Sequence, residues 1–102
     1  MSDRQPLPNK RPLEAFDFSH EGIDYHATIG RFEDGGISEL FLDAGKTGSA
    51  VNVMARDAAV VLSVARQYGT PIEVIRDALT KLHDGSCAGA VGIALQMADF
   101  TE

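Results

Sequence analysis

Apolar and polar residues alternate with period two near the start of the chain. Phe16 and Phe18 are separated by Asp17 and followed by Ser19; after Glu21-Gly22 the alternation resumes, with Ile23, Tyr25, Ala27 and Ile29 interleaved with Asp24, His26 and Thr28. Period two on both sides of a short turn predicts a β-hairpin. With Glu21 and Gly22 as a two-residue loop, Phe18 falls opposite Tyr25 and Phe16 opposite Ala27, while Asp17 meets His26 on the other face. Glu33-Asp34-Gly35-Gly36 predicts a second turn, and Ile37 to Leu42 a third strand. The result is a three-stranded antiparallel meander with one apolar face, which needs a helix to cover it.

The period changes after Ser49. From Ala50 to Tyr68, Val51, Met54, Ala58, Val61, Leu62 and Ala65 recur at steps of three and four, with Asn52, Arg56, Ser63 and Gln67 as the polar edge. This predicts a long helix with the first set as its apolar face and the second as its polar edge. Valines and alanines fill much of the remaining circumference, so burial on more than one side is expected. Gly69 is placed to end the helix. Thr70-Pro71-Ile72-Glu73 then combines an N-cap, a proline at the first helical position and a carboxylate three residues after the cap. The second helix carries Ile72, Ile75, Leu79 and Leu82 as its apolar stripe. A small-residue loop from His83 to Gly89 precedes a third helix within Ala90 to Phe100. The expected fold class is α+β: a three-stranded antiparallel meander packed on a long helix, followed by two shorter helices.

Composition narrows the setting. With 102 residues the chain has room for one domain. Residues 1–11 contain Pro6, Pro8, Arg4, Lys10 and Arg11, and read as a flexible basic arm before a body of 12–102. The formal net charge of -6 repels phosphate backbones and anionic lipid, so no general nucleic-acid binding and no membrane attachment are expected. Cys87 is the only cysteine, which excludes an internal disulfide and any cysteine-rich zinc site; a cytoplasmic location is expected.

Candidate chemistry is sparse. Gly45-Lys46-Thr47 resembles part of a P-loop, but the position where the motif needs its first glycine is Leu40. Two readings stay open for this segment. Gly45 and Gly48 can let backbone amides at the helix start approach an anion, with Lys46 adding charge, Ser49 a hydroxyl and Arg56 a guanidinium about two turns on. Alternatively the segment is a strand-to-helix connection capped by Ser49, with Arg56 in a surface salt bridge. His20, His26 and His83 have no metal-ligand spacing, and Cys87 has no neighbouring base, so no metal, cofactor or catalytic group is expected. Met54 and Met97 read as core filling.

Several blocks carry a family resemblance: Tyr25-x-Ala27-Thr28-Ile29-Gly30, Glu39-Leu40-Phe41-Leu42, Gly45-Lys46-Thr47-Gly48-Ser49, Ala55-Arg56-Asp57-Ala58-Ala59, Tyr68-Gly69-Thr70-Pro71-Ile72-Glu73 and Ile75-Arg76-Asp77-Ala78-Leu79. In this order they resemble the C-terminal, TSCPD-type region of adenosylcobalamin-dependent class II ribonucleotide reductases, over roughly residues 12 to 98. The Cys-Pro-Asp stretch for which the domain type is named is absent, which removes a thiol-relay or zinc role. A chain with one cysteine also lacks the radical machinery of those enzymes. The resemblance therefore implies a free-standing accessory or regulatory module without independent enzyme activity, binding a nucleotide-like anionic ligand, a reductase or another protein. The alternative is a self-associating or protein-interaction scaffold with no small-molecule site. A homodimer is expected on either reading, because little surface is available to cover a helix apolar on several sides.

Overall fold

The computed structural model describes residues 12–45 and 49–99. The expected arm, residues 1–11, and the positions of Lys46 and Gly48 lie outside the described residues. Three strands, β1 (Leu13–His20), β2 (Ile23–Arg31) and β3 (Ile37–Ala44), are followed by helices α1 (Ala50–Gln67), α2 (Ile72–Ala78) and α3 (Ala90–Ala98). The strands form one antiparallel sheet in the order β1-β2-β3. The fold is the expected α+β meander with a long helix and two shorter ones.

The first hairpin has the register its alternation predicts. Phe16 lies opposite Ala27, Asp17 opposite His26 and Phe18 opposite Tyr25. Glu21 (φ 53°) and Gly22 (φ 77°) both take left-handed conformations, as a tight two-residue turn requires for its twist to match the strands. Phe18 and Tyr25 stack at 5.1 Å between ring centroids, joining β1 to the core side of β2. Between β2 and β3 the register shifts by one residue: Gly30 faces Glu39, but Arg31 faces Ile37, so Ser38 is the extra residue of a bulge.

The core lies on one side of the sheet. Ala27 and Ile29 of β2, Leu40 and Leu42 of β3, Ala59 and Leu62 of α1, and Ala94, Leu95 and Ala98 of α3 are all buried. Two arginines lock the end of the fold near the second turn. Arg31 reaches Glu14 and the carbonyls of Gly35 and Ala98 at 2.9–3.0 Å. Arg66 donates to the carbonyls of Ile37 and Thr70 at 2.6 and 2.8 Å and lies 5.5 Å from the Phe32 ring centroid.

Three local expectations are corrected. Met54 is 71% exposed and Val61 68% exposed, so the stripe expected to face the core largely faces water. The expected polar edge is instead buried: Asn52 is 6% exposed, Ser63 8% and Gln67 5%. The reason is where α1 lies. β3 is an edge strand, and its unpaired backbone groups need partners. Asn52 Oδ1 accepts from the Ala44 amide at 2.9 Å. Ser63 Oγ accepts from the Leu40 amide at 2.8 Å, and its one proton is shared between the Ala59 carbonyl at 2.8 Å and the Leu40 carbonyl at 3.0 Å. Gln67 Nε2 donates to the Ser38 carbonyl at 3.4 Å. The polar side chains of α1 thus satisfy the strand edge, and its apolar side turns outward.

The other two corrections concern α2. Its N-cap is Pro71, in extended conformation (ψ 142°) and with no side-chain cap bond, so the expected Thr70 cap does not form. The helix also stops at Ala78, leaving Leu82 exposed rather than on a buried stripe. Lys81 Nζ caps the Arg76 and Leu79 carbonyls at 2.5 and 2.8 Å, and Lys81 then bridges Cys87 in a short antiparallel turn. Asp84 closes that turn by accepting from the Ser86 amide at 2.9 Å.

Candidate functional site

Of the sequence candidates, Gly45, Ser49 and Arg56 lie at the junction of β3 and α1. Gly45 takes φ 53° with open space around its Cβ position, so conformation rather than room asks for glycine there. Its amide donates to the Asp24 carbonyl at 3.2 Å. Ser49 caps α1: its side chain accepts from the Asn52 amide at 3.2 Å, and its carbonyl receives the Val53 amide at 3.0 Å. Arg56 lies two turns on and places Nη1 3.6 Å from Asp43 Oδ1, in an ion pair with both side chains more than half exposed. Gly45, Ser49 and Arg56 therefore belong to one neighbourhood, and each has a structural partner there.

The described surface beside Gly45 is acidic. A hollow of about 550 Å³ on the outer face of the sheet is lined by Asp17, Asp24 and Asp43 together with Ser19, His26 and Gly45. Within it His26 Nδ1 meets Asp17 Oδ1 at 2.5 Å. Three carboxylates around one imidazole favour cations over phosphate. Among the described residues no group of three or more His, Cys, Asp and Glu side chains could hold a metal ion. His20 is used structurally, donating from Nε2 to the Ala88 carbonyl at 2.9 Å. Cys87 packs close to Gly92, where a Cβ would come within 2.9 Å of its Sγ.

The other polar cluster is a clamp between α2 and the end of α3. Arg76 Nη1 and Nη2 each donate to Asp99 at 2.7 Å, a bidentate pair. The hydrogen bonds from Arg76 hold the Asp99 carboxyl below the usual carboxylate range. This pair fastens the helices that close the core.

The apolar residues expected on more than one side of α1 leave its outward side uncovered. Val53, Met54, Val60, Val61 and Val64 are all exposed there. Toward α2 and α3 the same side borders a continuous apolar groove, two joined hollows of about 320 and 390 Å³ that share Ala58, Leu79 and Val91. What the helical pattern does not reveal is that Asn52, Ser63 and Gln67 occupy the covered side.

A short antiparallel sheet, with a long helix clamped to its edge strand and two helices completing the core, defines a small α+β domain. The TSCPD domain family model matches residues 9–99, and the chain belongs to this family. It is 35% identical over 78 residues to a vitamin B12-dependent ribonucleotide reductase of Agrobacterium fabrum, a match covering 76% of this chain and 6% of that protein. The proteins of the same name from Rhodopirellula baltica and Streptomyces coelicolor are 35% and 32% identical over 72 and 79 residues, covering 71% and 78% of this chain. The matched region is 7% of the former relative and 8% of the latter, so the chain spans a small fraction of the enzymes it resembles. No solved structure matches significantly. Among the described residues, no helix is long and apolar enough to cross a membrane.

Proposed function

We propose that this TSCPD domain is a non-catalytic accessory module that works by docking to protein, with the outward face of α1 as its contact surface. One observation carries the reading: Val51, Val53, Met54, Val60, Val61, Val64 and Tyr68 are all exposed along this one helix, more large apolar surface than singly scattered residues leave on a monomer. The helix is held rigidly from behind by Asn52, Ser63 and Gln67, so its outer face is preorganised and little order is lost on contact. A ribonucleotide reductase is one class of partner that the family relationship supports.

Carbene footprinting of Met54 and Val61 tests this. Labelling that falls as the protein is concentrated, or as a vitamin B12-dependent ribonucleotide reductase is added, supports docking. Labelling that stays at the level of a solvent-exposed helix in both conditions overturns it.

A second reading keeps Gly45, Lys46, Gly48, Ser49 and Arg56 as a site for a nucleotide-like anion and makes the module regulatory. It is favoured by the absence of acidic residues in the first turn of α1, which leaves the positive end of the helix dipole uncompensated. The carboxylates of Asp24 and Asp43 oppose it. Calorimetric titration with ribonucleotides and deoxynucleotides decides the matter: heat of binding that weakens in Lys46→Ala supports the site, and no heat in wild type removes it.

A further inference from the structure

The geometry points to a second copy of this chain as the occupant of the α1 face, packed α1 against α1 about a twofold axis; this rests on the docking reading above. Val51, Met54, Ala58, Val61, Ala65 and Tyr68 step along the helix by three, four, three, four and three, so the stripe reads the same from either end. An antiparallel copy whose axis passes midway between Ala58 and Val61 brings Met54 opposite the other copy's Ala65, Ala58 opposite its Val61, and Val51 opposite its Tyr68. Met against Ala and Ala against Val set larger side chains against smaller ones, the arrangement that lets two helices interdigitate. A twofold contact is isologous, so one patch that complements itself satisfies both partners.

The groove bordering the stripe, walled by Ile75, Leu79 and Val91, adds apolar surface to such a contact, and the charge along the stripe agrees with this occupant. The stripe itself carries no charge, so a copy of the chain brings no unpaired ion into its centre. Asp57 flanks the stripe and lines the mouth of the bordering groove beside Ala58 and Val61. Its exposed position lets it stay hydrated when the stripe closes.

Sedimentation velocity on the full chain from about 1 to about 500 μM, with Val61→Asp and Met54→Lys as variants, tests the inference. Both side chains are exposed, so circular dichroism should report an unchanged fold in the variants. The expected result is twice the monomer mass for wild type, with dissociation constants raised at least 100-fold in both variants. In a Cys87→Ser background, mixing Met54→Cys chains with Ala65→Cys chains should give 54–65 disulfide-linked pairs in preference to like-with-like pairs. A wild type that stays monomeric at the highest concentration overturns the inference, as does a dimer indifferent to both substitutions. A monomeric wild type whose Met54 is nonetheless protected by added reductase overturns the second copy alone and leaves the docking reading standing.

Discussion

The two sides of α1 invert the usual relation between polarity and burial. Its inner side is built from Asn52, Ser63 and Gln67 with Ala59 and Leu62 between them, and its outer side from Val53, Met54, Val60 and Val61. An amphipathic helix lying on a sheet face buries apolar side chains, because side chains are what the face presents. A helix lying along an edge strand meets backbone amides and carbonyls instead, and hydrogen-bonding side chains are what fit there. The same residues that look solvent-seeking in a helical projection are thus the ones that fasten α1 to β3.

The sharpest break of this comparison is Ser63→Val. The new side chain is apolar and close in size, so a helix that needed an apolar inner side would tolerate it. Here it leaves the buried Leu40 amide without its acceptor and removes the one hydroxyl proton that the Ala59 and Leu40 carbonyls share, which should cost about 1–3 kcal/mol. Urea unfolding at low protein concentration measures the loss. A change under about 0.5 kcal/mol would return the inner face to ordinary packing.

Asn52→Ala is the milder form of the same experiment. It removes one acceptor, that of the Ala44 amide, near the end of the strand where water can partly replace it. The expected loss is about 1–2 kcal/mol, again from the urea midpoint. Because Asn52 and Ser63 act on different stretches of β3, the two losses should add in the double variant.

The contrast also explains how much was legible from sequence. Strand alternation and the Glu21-Gly22 turn determine the hairpin register, because the two-residue turn fixes the pairing and period two then puts Phe16, Phe18, Tyr25 and Ala27 on the same face. The start of α1 at Ala50 and its cap by Ser49 follow from local chemistry and were equally readable. The direction α1 faces was not. Periodicity finds the polar and apolar sides of a helix, but which side is covered depends on whether a strand edge or a strand face lies beneath, and that is set by tertiary placement. The end of α2 escaped for a related reason: Lys81 reaches back to the Arg76 and Leu79 carbonyls and turns the chain into the bridge with Cys87, a competition that the stripe ending in Leu82 conceals. Of the candidate site, the sequence brought Gly45, Ser49 and Arg56 to one place, but not the surrounding Asp17, Asp24 and Asp43, which come from all three strands.

A smaller effect separates the α1–β3 contact from the clamp of α2 on α3. Asp99 has its folded pKa depressed by Arg76, so its stabilisation is present above the unfolded carboxylate value and is lost as pH falls through the lower folded value. Its side chain is about half exposed, and solvent screening keeps the contribution under about 1 kcal/mol. Asp99→Asn should therefore lower the urea midpoint slightly near neutral pH, and the gap from wild type should close in acid once both side chains are uncharged. A gap that persists at pH 2 would assign the effect to packing or neutral hydrogen bonding.

The smallest expected effect is on the outer side. Val60→Thr keeps the branched shape and changes one exposed methyl to a hydroxyl, so it removes no internal hydrogen bond and opens no cavity. In the dilute monomer, folding stability should move by less than about 0.5 kcal/mol, set against the several-fold larger loss in Ser63→Val. Chemical unfolding at about 1 μM measures it, low enough that association adds nothing to the folded state. A loss above about 1 kcal/mol at that concentration would mean that the outer valines already pack within the monomer. The face would then be part of the core, and the division of α1 into an inner polar side and an outer docking side would fail.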